Sequence, residues 1–470
     1  MRLLFLAPAL LAQLSPEQLK EDLSIARQVL EEGHPGVYRY TPKAEFQRGF
    51  ASAESQLTRP MTVLEFNRIV VNAVGLVKCG HTGVSLPVDT AKERQNTVAL
   101  LPFDVDIVGG RVYIVRDEAL AGAEILEING VPAAKLLAQL EAGTPGDGNI
   151  AVGRWGRLAR GGFVRGLPLL AGIEAPYRVT YKLRGTKNTT EFAGVPATQL
   201  KPAPPDTKPL AFLEFPGDGK IAVMTIRTFG GFADRERKLP LSKFMTDAFG
   251  EIRDKRATGL ILDLRGNGGG QDALGKQLMA HLIDHDFDYY KDLVVNARSF
   301  SFKKYAGDLR DFAEAQAKPR ADGRFDFLGH PNLGPQKPAE PGFRARVIAI
   351  ADRDSFSATG EFLTAFHSAR RGTIVGEETG AAYLGNTSGA SAVVTLPNSK
   401  LRIFVPLMGY YLPSSRKAAA DRGVMPDVPV KLTIEDKIAK RDPAMQRAMA
   451  LAARPAPGAQ NRRKNANQKS

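Results

Sequence analysis

The sequence predicts an α/β protein, with a layered strand-and-helix core in its second half and a small helical domain at its start. Three observations carry this. From Leu210 onwards, short apolar runs alternate with helical periods. Two of those runs, "GLILDL" and "RVIAIA", are apolar at nearly every position, which marks buried strands. From Ser15 to about Val77, apolar residues recur at three- and four-residue spacing instead.

The helical part reads from its first cap. In "LSPEQLKEDLSIARQVLEEG", Ser15 is the N-cap, Pro16 takes the first helical position, and Glu17 and Glu21 sit near the positive helix end. Leu19, Leu23, Ala26 and Leu30 form its apolar face, and two more helical segments follow before "KCGHTGVSL". The period then shortens. "RVYIV" and "AEILEING" are strands, Asn129-Gly130 is a turn, and "PAAKLLAQL" is a helix. The order strand, turn, helix in "GAEILEINGVPA" resembles the carboxyl half of a PDZ domain, a module that captures extended peptides at a sheet edge. A generic small α+β unit has the same pattern. "PYRVTYKLRG" is a strand and "KPAPPDTKP" a linker, while "GNIAVGRWGRLARGGFVRGLP" shows no clear period.

Composition bounds the function. The 470 residues suit two to four domains, and 43% hydrophobic with 24% charged residues is ordinary for a soluble globular chain. The net charge of +14 includes five cations in the final "RPAPGAQNRRKNANQKS"; the rest forms no basic stripe with aromatics, which argues against nucleic acid. Cys79 is the single cysteine, so no internal disulfide exists. Residues 1–12 have Arg2, an apolar run and small residues at Ala7, Ala9 and Ala12, the pattern of a short signal peptide and hence of a periplasmic or secreted protein. No later run reaches the roughly 18 apolar residues that a membrane span needs.

Two stretches carry chemistry. In "IAIADRDSFSATGEF" a buried strand ends in a polar corner, and a helix starts immediately after Ser357. A serine there lies beside free backbone N–H groups and the positive end of the helix dipole, which can hold an oxyanion. It can equally be a plain cap, and Ser355 is available for the same job. In "GLILDLRGNGGG" four glycines, Gly266, Gly268, Gly269 and Gly270, follow the other buried strand. Neither phosphate-loop pattern fits, since the Lys-Ser/Thr of one is missing and Gln271 replaces the third glycine of the other. An oxyanion loop facing a nucleophile on a neighbouring strand end remains, because both loops leave the carboxyl edge of the sheet.

"LILDLRGNGGG", "SFSATGEF…RRGTIVGEETGAA" and "GVMPDVPV", in that order across residues 210–432, together resemble the tail-specific, tricorn-core serine peptidases. The resemblance implies a crotonase-like α/β core and a hydrolase of peptide bonds. It makes Ser357 the nucleophile, Gly268 and Gly269 the loop that supplies one oxyanion N–H, and Ala358 the source of the other. Processing proteases of the family place a lysine about two dozen residues after the serine, but "GEETGAAYLGNTSG" has none. The tricorn-like branch instead uses a histidine in a "DGHT"-like segment, and "CGHT" puts His81 there. An imidazole titrates near neutral pH and suits a serine nucleophile. His34 is the rival base, and His367 is about 15 Å along the serine's own helix. For the third catalytic group the resemblance points to Asp421, with Glu377 and Glu378 as alternatives.

A Cys79–His81 nucleophile pair would leave the glycine loop and serine corner unexplained. His281 and His285, four apart, read as a charged helix end, so no metal or cofactor is expected. These readings divide the chain into a signal segment 1–12, a helical domain 13–90, a PDZ-like module with a linker 91–205, a protease core 206–435, and a C-terminal helix with a basic tail 436–470. They predict an exported serine endopeptidase acting on extended or C-terminal polypeptide segments, without stable membrane insertion and with homo-oligomerisation open. A peptide- or hydrophobic-ligand-binding relative of the same fold is the alternative, and a crotonase-like acyl-thioester enzyme is a third reading.

Overall fold

Ser15 caps the first helix as its sequence predicts. Its side chain accepts from the Gln18 N–H at 3.4 Å, and the Gln18 side chain accepts from the Ser15 N–H at 2.9 Å. The computed structural model describes residues 13–200 and 208–453. The candidate signal segment 1–12, most of the Pro-rich linker and the basic tail lie outside them. Helix Pro16–Gly33 buries Leu19, Leu23, Ala26 and Leu30, the predicted stripe, against helices Lys43–Glu54 and Val63–Gly75. This helical layer does not close its core alone. Val394, Leu396, Leu401, Ile403 and Val405, more than 300 residues later in the chain, fill it from the antiparallel pair Ala392–Thr395 and Arg402–Val405. Strand Gly83–Ser85 completes that sheet, pairing Val84 with Ile403. His81, two residues before it, is thereby carried to the core.

The middle segment is an antiparallel sheet in the order 186–192, 177–183, 124–128, 111–114, 105–108, covered by helix Ala133–Ala142. Its Asn129-Gly130 turn has both residues at positive φ, 50° and 78°, as a tight hairpin with right-handed twist requires. Residues 151–171, which the sequence leaves without a period, form a broken run of short helical turns. Gly161 at φ 90° interrupts it, so no single apolar face can persist.

The core sheet has the order 211–214, 221–226, 259–263, 346–351, 373–376, 428–429. The first pair is antiparallel and the rest parallel. Alternate residues face opposite sides. Ala222, Met224 and Ile226 pack on helices Leu241–Asp254, Asp272–Leu282 and Ala358–Ser368. Ile221, Val223, Ile261, Ile348 and Ile350 pack on the C-terminal helix Pro443–Ala452. Both faces being covered explains the unbroken apolar runs. Strands Gly259–Asp263 and Arg346–Ala351 are parallel neighbours, Ile261 beside Ile348. The glycine loop and the serine corner therefore leave the same edge side by side. Among the described residues no helix is long and apolar enough to cross a membrane.

Candidate active site

Ser357 begins helix Ala358–Ser368 but does not cap it. Its side chain makes no cap hydrogen bond, and its backbone sits at φ 55°, ψ −129°. A non-glycine residue there stores roughly 1–3 kcal/mol of strain. The ordinary polar work of the corner falls to its neighbours. Buried Ser355 donates to the Leu264 carbonyl at 3.1 Å and accepts from the Asp352 N–H at 3.1 Å. Asp352 accepts from the Gly266 N–H at 3.0 Å, and the Phe356 N–H donates to the Asn267 carbonyl at 3.0 Å. The two loops are thus tied together, and Ser357 Oγ is left free to face His81 Nε2 at 3.1 Å.

Gly269 must be glycine. Its φ is 98°, and a Cβ would stand 2.7 Å from Ser357 Cβ and 2.8 Å from the Phe356 carbonyl oxygen. Its N–H, however, donates to Asn267 Oδ1 at 2.9 Å. The expected oxyanion role of the Gly269 N–H therefore needs correcting: that group is engaged in holding the loop. The space beside both Gly266 and Gly268 is open, but the Gly266 N–H is taken by Asp352, which leaves Gly268 as the loop residue able to meet a ligand. Ala358, first in its helix, has an N–H with no intrahelical acceptor. Asn267 was not singled out from the sequence, where it reads as one more turn residue among glycines.

His81 stacks on Phe356, ring centroids 4.7 Å apart at 30°, and the Arg157 guanidinium lies 4.8 Å over the same phenyl ring. Burial holds the imidazole below its ordinary pKa; Asp147 pulls it back up, and Arg157 pushes it further down. His81 Nδ1 is buried and makes no hydrogen bond. The rival, His34, accepts from the Gly36 N–H at 3.1 Å, and burial pushes its pKa down to about 3. His367 is bonded to the Tyr383 hydroxyl at 2.9 Å, far along the helix. His281 stacks on Phe249, and His285 is exposed beside Asp284.

Asp421 does not meet the imidazole. Its carboxylate accepts from Asn149 Nδ2 at 2.6 Å and its carbonyl from the Asn149 N–H at 2.9 Å. Glu378 pairs with Arg422, and Glu377 is influenced chiefly by burial and Arg353. The acid beside His81 is Asp147, buried, accepting from the Gly80 N–H at 2.7 Å and the Ala382 N–H at 3.2 Å. A carboxylate oxygen of Asp147, a ring nitrogen of His81 and Cys79 Sγ all lie within 4.8 Å of one another. Sequence reasoning missed Asp147 because "TPGDGN" is a glycine-rich turn just before the stretch without a period, and nothing local links it to His81. Cys79 Sγ donates to the Thr387 carbonyl at 3.4 Å, and burial pushes the thiol up to about 11, which leaves it a poor nucleophile. A cavity of about 230 Å³ reaches Gly268 and Phe356, the residue before Ser357, and is lined also by Arg157, Arg160, Arg353 and Asp354.

Residues 220–430 match the model of peptidase family S41. The core is an S41 peptidase domain. The chain accordingly carries a serine peptidase, and both the glycine loop and Ser357 fall inside the matched region. Among solved structures, mature CPAF complexed with lactacystin superposes with a TM-score of 0.62 at 16% identity, covering 93% of this chain and 98% of that one. Mature CPAF without that compound gives 0.61 at the same identity, over 93% and 97%. A putative peptidase from Parabacteroides merdae gives 0.50 at 14%, over 94% and 98%. These likenesses speak for the fold beyond the S41 domain, over nearly the whole chain. No curated protein matches the sequence.

Proposed function

We propose that the S41 domain is a serine endopeptidase in which Ser357 Oγ attacks the scissile carbonyl and His81 Nε2 takes its proton. The single observation that carries the reading is the 3.1 Å contact between those atoms at a strained corner. The developing oxyanion is received by the N–H groups of Gly268 and Ala358. Donors of this kind are each worth about 10²–10³ in rate. When the tetrahedral adduct collapses, Nε2 returns the proton to the leaving amine, and water then hydrolyses the acyl-serine by the same base. His81 must keep its proton on Nδ1 for Nε2 to accept one. Asp147 is the carboxylate near enough to favour the imidazolium that forms, and it acts as a positioning residue. The core is read as crotonase-like. The antiparallel sheet 105–192 is read as a PDZ-like holder of extended peptide, supported by its hairpin, its helix and its exposed edge strand Thr186–Phe192.

A fluorophosphonate probe tests the reading. Wild type should label, Ser357→Ala should not, and His81→Ala should slow labelling far more than His34→Ala. A wild type that never labels yet still binds peptide would make the domain a binding relative instead. An equal or larger loss in His34→Ala would overturn the choice of base.

A further inference from the structure

The turn Cys79-Gly80-His81 gathers more donors than acyl transfer uses. Cys79 Sγ accepts from the His81 backbone N–H at 3.4 Å, and Asp147 Oδ1 accepts from the Gly80 N–H at 2.7 Å. Thiol and carboxylate therefore bracket the backbone end of the His81 side chain. Nδ1 is the ring nitrogen nearer that end, and it is buried without a partner. Gly80 permits the crowding: a Cβ there would stand 3.2 Å from Asp147 Oδ1 and strike the Phe356 ring.

We propose that Cys79 Sγ, His81 Nδ1 and an Asp147 carboxylate oxygen form a site for a thiophilic divalent cation of the zinc type, and that its occupation switches the peptidase off. One sulfur, one imidazole nitrogen and one carboxylate oxygen are the donor set that zinc takes, with a fourth position left to water. A thiolate and a carboxylate neutralise a divalent cation, so the occupied site carries no net charge into a buried environment. Tetrahedral zinc holds such donors about 3.5 Å apart, and the observed limit of 4.8 Å requires modest side-chain rotation.

The inhibitory half rests on the proposed function. A neutral imidazole has one lone pair and one N–H. A cation that takes the Nδ1 lone pair sends the ring proton to Nε2, the atom facing Ser357 Oγ. Nε2 then donates to the serine and cannot accept its proton. Binding releases one proton, from the Cys79 thiol, and changes no oxidation state.

Cobalt(II) tests the site directly, because a thiolate–cobalt charge-transfer band can come only from Cys79, the single cysteine of the chain. The full chain, freed of metal with a chelator, should bind one equivalent of cobalt(II) with that band, and Cys79→Ser and Cys79→Ala should lose it. Micromolar zinc should block fluorophosphonate labelling of wild type and chelator should restore it, while Cys79→Ser should label without zinc and need at least about tenfold more zinc for inhibition. No charge-transfer band in folded wild type, or equal zinc sensitivity in Cys79→Ser, overturns the proposal. A band without any labelling would retain the metal site and reject the peptidase reading. Labelling without a band would do the reverse.

Discussion

Replacing Asp147 with Asn tests the electrostatic support of the base. In the proposed mechanism acylation turns neutral His81 into an imidazolium, and a carboxylate oxygen of Asp147 lies within 4.8 Å of a His81 ring nitrogen. At that separation, with an effective dielectric of 20, the attraction is about 3.5 kcal/mol. Losing it should slow acylation about 300-fold, at 1.36 kcal/mol per factor of ten. Asparagine keeps an oxygen for the Gly80 N–H but presents an amide to the Ala382 N–H or loses that contact, so folding is checked by circular dichroism and a thermal melt. The assay is the second-order rate of fluorophosphonate labelling against pH, with chelator present. The plateau should drop, and the acid limb should move to lower pH, because Asp147 raises the His81 pKa and its removal makes the ring harder to protonate. A plateau within about threefold of wild type, or a limb displaced to higher pH, would refute the argument.

Two further outcomes follow from strain and burial. Ser357→Gly and Ser357→Ala should both abolish labelling, but glycine should be the more stable variant by about 1 kcal/mol in urea, since it alone relaxes the φ of 55°; equal stability would remove the strain from the account. His34, buried with its pKa pushed down to about 3 from 6.5, binds its proton more readily in the unfolded chain, so its contribution to stability is present above pH 6.5 and is lost as pH falls toward 3. By pH 5 the loss amounts to about 2 kcal/mol; His34→Gln should flatten that acid slope in pH-dependent urea melts, and parallel slopes would contradict it.

What the sequence alone determined is what depends on near neighbours. The Ser15 cap, the Asn129-Gly130 turn and the apolar runs of the core strands are readable because caps, turns and sheet faces are set by residues a few positions apart. The serine corner and the glycine loop were legible for the same reason, and a parallel sheet obliges both to leave one edge. The tertiary structure decided everything that joins distant segments. His81 reaches Ser357 across 276 residues, carried by a strand that pairs with Arg402–Val405, and the first helices borrow their core from those same late strands. Asp147 rather than Asp421 faces the imidazole, and Asn267 takes the Gly269 N–H. Such choices turn on separations of a few ångströms between side chains far apart in the chain, a distance scale that spacing along a sequence does not encode.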